Sequence, residues 1–212
     1  NLPAKLIGAA MGTVKIGCFR YGVLAAFEDY VQFNATKNGE AVRINQDGSD
    51  YGVARLLYEN NSDGYKALGV LSTAVQHYDR DAHVTGLDWH LLTQSGKLKM
   101  DGQVFRSDLD DVDPGYGGFV DFEYTFRRGV KQRLGIEYFD DNVDINDLGY
   151  QSRNNYRQIR SAHTRTMSDI DWARDNQFDV RGAIMQNGDG HLGRSGIFVS
   201  NRTTFHNLTA LT

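Results

Sequence analysis

The chain has 212 residues with Gly 23, Pro 2 and aromatics at 11%, which fits one ordered domain and excludes a collagen-like or disordered chain. Lys+Arg 23 against Asp+Glu 27 gives a net charge of −4, with the signs interleaved, so no basic footprint for nucleic acid is present. The one cysteine, Cys18, excludes an internal disulfide framework and a multi-cysteine zinc site, and no run of about 18 apolar residues can form a transmembrane helix.

A membrane β-barrel survives that last exclusion, because its strands alternate and look hydrophilic on average. The chain opens at Asn1 without Met or signal peptide, as a processed chain or a fragment would. In chain order, the first strand candidates are Leu6–Lys15, Arg20–Tyr30, Gly52–Glu59 and Ala67–His77. The alternation then sharpens. Leu87, Trp89 and Leu91 oppose Gly86, Asp88 and His90. Leu98, Met100, Gly102 and Val104 oppose Lys97, Lys99, Asp101 and Gln103. Val120, Phe122, Tyr124 and Phe126 oppose Asp121, Glu123, Thr125 and Arg127. Leu134, Ile136 and Tyr138 oppose Lys131, Arg133, Gly135 and Glu137. Tyr156–Met167 follows, then Phe178, Val180 and Ile184 against Gln177, Asp179 and Arg181, and last Ile197–Phe205. A helix would scatter these charges round its cylinder, whereas a strand puts them on one side.

The count is about ten to twelve antiparallel strands, many near the roughly 9–11 residues that cross a bilayer when tilted. Connections alternate between tight (94–96, 128–129) and long (107–117, 140–154), as in an up-and-down barrel; 168–176 breaks the rhythm by reading long where a short turn belongs. No internal domain boundary is visible in 1–212. The same alternation would suit a soluble β-sandwich or barrel with the apolar face as its core. Strand length, aromatic residues on the apolar faces and mixed charges opposite favour the transmembrane barrel.

The segment Val143-Asp-Ile-Asn-Asp-Leu-Gly-Tyr-Gln-Ser-Arg153 resembles the signature F-x-x-N-D-L-G-F-x-x-R. That signature belongs to Gram-negative outer-membrane proteins in which a carbohydrate-binding-family-9-like module precedes a large β-barrel domain of unknown function. Leu6–Gly17 resembles the opening strand of that barrel, Tyr21–Ala26 its partner, and Val84–Trp89 with Gly102, Gln103 and Ser107 a later hairpin. Met11 stands where Lys is expected, Val143 replaces the first Phe and Tyr150 the second. The resemblance implies an outer-membrane location and a segment of a larger barrel. It implies no activity.

Candidate chemistry is sparse. The acidic loops (Asp108, Asp110, Asp111, Asp113; Asp140, Asp141, Asp144, Asp147) offer calcium the first three positions of a binding loop at Asp140, Asn142 and Asp144. The sixth position is Ile145 and the twelfth Gln151, so this is no EF-hand, and a solvated or lipopolysaccharide-facing loop is the better reading. Gly149 reads as a tight bend and 187–190 as a turn. His77 and His83 flank one loop and could share a metal, though no H-x-x-x-H pairing supports it. Cys18 reads as a small apolar residue, and no nucleophile elbow is present. Asp121 and Glu123 could serve a glycosidase only in an open cleft.

The expectation is therefore a non-enzymatic segment of an outer-membrane up-and-down β-barrel acting as pore, anchor or receptor, with no cofactor. Its lumen would be lined by Asp88, His90, Lys97, Lys99, Asp101, Gln103, Asp121, Glu123, Arg127, Lys131, Arg133 and Glu137. Lipid would meet Leu87, Trp89, Leu91, Leu98, Met100, Val104, Val120, Phe122, Tyr124, Phe126, Leu134, Ile136 and Tyr138. Partners would be membrane lipid, lipopolysaccharide, carbohydrate and further strands, since a barrel tolerates no open edge in lipid. The alternative is a soluble β-domain that binds carbohydrate through Trp89 and Trp172.

Overall fold

The computed structural model describes residues 5–37, 39–78 and 80–212, and the side chains among them save those of Lys37 and Asp169. Twelve strands form one antiparallel sheet in the order β1-β2-β5-β6-β7-β8-β9-β10-β11-β12-β13-β14, and a separate hairpin, β3-β4, rises between β2 and β5. The strands are β1 (Lys5–Ile16), β2 (Phe19–Asp29), β3 (Val31–Lys37), β4 (Glu40–Gln46), β5 (Asp50–Asn60), β6 (Tyr65–Gln76) and β7 (Asp81–Leu92). Then come β8 (Leu98–Leu109), β9 (Gly115–Arg127), β10 (Val130–Phe139), β11 (Tyr156–Ile170), β12 (Ala173–Asn187), β13 (Leu192–Thr204) and the short β14 (Ala210–Leu211). Among the described residues there is no helix, and no pairing joins β1 to β13 or β14.

Every connection in the large sheet is between neighbours, so the chain meanders up and down. One end carries the tight turns at 17–18, 61–64, 93–97, 128–129 and 171–172. The other carries the β3-β4 hairpin and the loops 77–80, 110–114, 140–155 and 188–191. The turn between β11 and β12 is only Asp171–Trp172, so the break in rhythm expected at 168–176 disappears: Ser168, Asp175 and Asn176 lie in the strands, Ser168 opposite Asp175 and Met167 opposite Asn176. Their polarity reads as loop, but the strands overrun the apolar band and these residues lie beyond it. The hairpin at 31–46 was not among the expected strands, although Val31, Phe33 and Ala35 with Ile44 and Val42 across from them share one face; its strands are only seven residues each.

The register puts the expected apolar residues on one face. Trp89 sits opposite Gly102, which sits opposite Val120, itself opposite Ile136 and then Ile159. Gly102 is required here, since a Cβ would run into the indole ring of Trp89 lying across it. Apart from Gly102, buried under the Trp89 ring, the described side chains expected on this face are half-buried or exposed: Leu87 is 46% exposed, Tyr124 41% and Ile136 43%. Aromatic residues stand near both ends of the strands on this face, with Phe19, Tyr21, Tyr58, Tyr124 and Phe126 toward the tight turns and Phe27, Tyr116 and Tyr138 toward the loops. Leu56, Val70, Leu87, Val104 and Ile159 lie between them. The whole chain exposes 14416 Å², against about 9,900 Å² expected of a compact monomer of this mass. No second layer covers the apolar face among the described residues, so a sandwich core is not formed there.

The strands are staggered. The row that begins at Tyr21, two residues from the tight-turn end of β2, runs through Leu56, Val70, Leu87, Val104, Gly118, Tyr138 and Arg157 to Gln186, thirteen residues from that end on β12. At about 3.3 Å per residue and 4.8 Å per strand this is a tilt of about 40°, within the roughly 35–45° of closed barrels.

Candidate functional site

The opposite face is polar, and over β8–β13 it lines a half-open hollow of about 1110 Å³. Its charges form a chain of ion pairs across strands. Arg55 on β5 reaches Asp88 on β7 at 2.7 Å; His90 bridges Asp88 (3.3 Å) and Asp101 (2.9 Å); Lys99 closes on Asp101 at 2.7 Å. Glu123 on β9 accepts from Lys131 at 2.9 Å and Arg133 at 2.7 Å, and Arg160 on β11 pairs with Glu137 and lies 3.7 Å from Asp121. Strand geometry explains the chain: residues opposite or diagonal on one face come within reach of long side chains. Asp88, only 7% exposed, depends on Arg55 and His90 for the interactions it loses with water. Both carboxylates once considered for glycoside chemistry, Asp121 and Glu123, are thus engaged by cations.

The loop 140–155 folds in over the loop end of this face. Val143, 1% exposed, is seated beside Gly115 and Ser107, and the Asp144 amide donates to the Ser107 hydroxyl at 3.1 Å. The loop tip crosses to the far strands. Asp147 meets His77 Nε2 at 3.0 Å and accepts from Arg80 at 2.9 Å, while His77 Nδ1 meets the Ser49 hydroxyl at 2.6 Å. Beneath it lies an aromatic row, Phe105, Phe139 and Tyr156, with ring centroids 5.6 and 5.1 Å apart. Gly117 leaves room for the Phe105 ring, since a Cβ would stand 2.6 Å from it. Val75 (2%), Ala82 (6%) and Phe105 (9%) complete the small apolar cluster under the loop. At the rim, the hydrogen bond from Lys5 holds the Asp29 carboxyl below its usual range and raises the Lys5 ammonium.

The structure brings together Asp88, His90, Lys99, Asp101, Gln103, Asp121, Glu123, Lys131, Arg133 and Glu137 on the polar face. Lys97 lies in the turn before β8 and Arg127 ends β9, so both sit on the tight-turn rim. His77 and His83 do not converge: His83 meets Ser72 and Thr85, whereas His77 is engaged by the loop. Asp140 and Asp144 accept amide protons from Asn142 and Asn146, which folds the loop on itself. Gly149 passes close to the Ile145 carbonyl, 2.7 Å from where a Cβ would be, in keeping with a tight bend. The turn at 187–190 has Gly190 at φ 83°. Cys18 is exposed in the turn after β1 rather than set among apolar residues. Arg55, Arg160 and Phe198 were missed by sequence reading. Arg55 and Arg160 lie in strands whose alternation is irregular, and Phe198 is an aromatic on the polar face, against the pattern.

Residues 30–191 match the family model described as "Domain of unknown function (DUF5916)", and the chain belongs to that family. No curated protein and no solved structure matches it.

Proposed function

We propose that this chain is a segment of an outer-membrane β-barrel whose polar face lines a lumen and whose 140–155 loop narrows it, so that the domain serves as a pore or receptor rather than an enzyme. The observation that carries this reading is a broad apolar face with no layer packed over it among the described residues, its large side chains half-buried to exposed, with aromatic residues near both strand ends. Water penalises such a face along its whole length, while lipid does not. The stagger, the meander and the two unlike ends support it. The ion-pair chain and the inward loop would set which solutes pass. Further strands would close the sheet, and a carbohydrate-linked role follows only from the resemblance set out above.

Brominated lipid tests this reading. In a Trp172→Phe variant reconstituted in bilayers, Trp89 is the remaining tryptophan. Bromine in the acyl chains is expected to quench its fluorescence strongly. Fluorescence unchanged by brominated lipid would place Trp89 away from the acyl chains and sink the barrel reading.

A further inference from the structure

The polar face has two unlike halves. On β8–β11 the cations are paired: Lys99 with Asp101, Lys131 and Arg133 with Glu123, Arg160 with Glu137. On β12–β13, Arg181 and Arg194 have no ion-pair or hydrogen-bond partner among the described residues, although both line the hollow. Asp179, the nearest acid along β12, is occupied: Thr164 donates to one oxygen at 2.6 Å and Gln177 to the other at 2.7 Å. Phe198, 57% exposed, lies directly opposite Arg181, and Arg194 lies four residues before it on the same face of β13. The Phe198 ring leans over Gly196, where a Cβ would meet it at 3.1 Å. Around it the floor is small, with Ala183 opposite Gly196 and Ala162 opposite Arg181.

An aromatic ring on a charged, water-facing wall, beside two guanidiniums that have no direct ion-pair partner among the described residues and over a floor without bulk, is suited to a particular solute. Guanidinium matches a carboxylate with two parallel hydrogen bonds, and the face of Phe198 offers apolar contact to a flat ring. We propose that the β12–β13 wall binds an anionic solute built on a six-membered ring, its carboxylate held by Arg181 and Arg194 and its ring lying on Phe198. This rests on the reading of the polar face as a solvent-filled lumen. The shared chemistry has two sources, an acidic sugar or an aromatic carboxylate. At about 1110 Å³ the hollow exceeds the usual ligand pocket of roughly 300–1,000 Å³, so it has room for a short oligomer.

The test is titration calorimetry of the detergent-solubilised protein with trigalacturonate, 4-hydroxybenzoate and, as the neutral control, maltotriose. At least one of the two anions is expected to bind, more weakly as salt is raised, and maltotriose is not. Binding of trigalacturonate alone identifies the acidic sugar, and of 4-hydroxybenzoate alone the aromatic acid; both outcomes support the site. R181Q/R194Q and F198A are each expected to lose at least tenfold in affinity, and F198Y to keep it. No binding of either anion, equal binding of maltotriose, or affinity unmoved in R181Q/R194Q or in F198A would overturn the proposal. A boiled-versus-unboiled gel on the same preparations separates the two failures. A heat-modifiable band without anion binding sinks the site alone, and loss of that band in the wild type sinks the barrel reading beneath it.

Discussion

Single residues on this sheet matter most where a side chain has nowhere else to go. Gly102 lies under the Trp89 ring, so Gly102→Val forces the indole off its seat. Overpacking of this kind costs about 1–3 kcal/mol, and the loss is expected as a lowered urea midpoint with altered Trp89 emission. Arg55→Ala leaves Asp88 with His90 as its remaining close side-chain partner. Arg55 is itself 38% exposed, so solvent screens part of the pair; the expected loss is about 1–3 kcal/mol, read in the same urea titration. Arg55→Lys should recover part of it. An unchanged midpoint in Arg55→Ala would mean that water already satisfies Asp88.

At the scale of elements, the strands that alternate cleanly were legible and the rest were not. From β7 to β10 every apolar residue expected on one face shares that face, because a period of two leaves a strand no other way to separate Lys99, Asp101 and Glu123 from Met100 and Phe122. The β3-β4 hairpin escaped although Val31, Phe33, Ala35, Val42 and Ile44 share one of its faces, because each strand is only seven residues long and its alternation is brief. The β11-β12 turn was misplaced because Ser168, Asp175 and Asn176 are strand residues outside the apolar band, where polarity no longer separates strand from loop. The loop 140–155 was recognisable as a motif, but its inward course was not. Its contacts with Ser107, His77 and Arg80 lie 37 to 70 residues away in sequence, and no local pattern carries such pairings. The loop is fastened at two points, an apolar one at Val143 and a charged one at Asp147. Val143→Asp places a charge in a site that is 1% exposed, and limited proteolysis is expected to cut within 144–150 much faster than in the wild type. Asp147→Asn, which weakens only the charged point, should raise cleavage less. Equal protease resistance in all three proteins would show that the loop is held by something other than these contacts.

For the whole molecule the governing fact is an inversion: the small apolar cluster lies under a loop on the polar side, while the broad apolar face is bare. Among the described residues seven hydrophobic ones are buried, among them Val75, Phe105 and Val143, a small core for a sheet of this size. The all-β antiparallel meander and the division of faces could be read from the sequence, since both follow from periodicity. The paired and unpaired halves of the polar face could not, since they depend on which strands become neighbours. The central claim is that a bilayer covers the bare face of a closed barrel. It is tested most directly by fractionating cells that express the full-length protein and running the membrane fraction boiled and unboiled. The expected result is an outer-membrane band that migrates differently before and after boiling, because a closed barrel resists detergent until heated. A soluble band with a single mobility would contradict it.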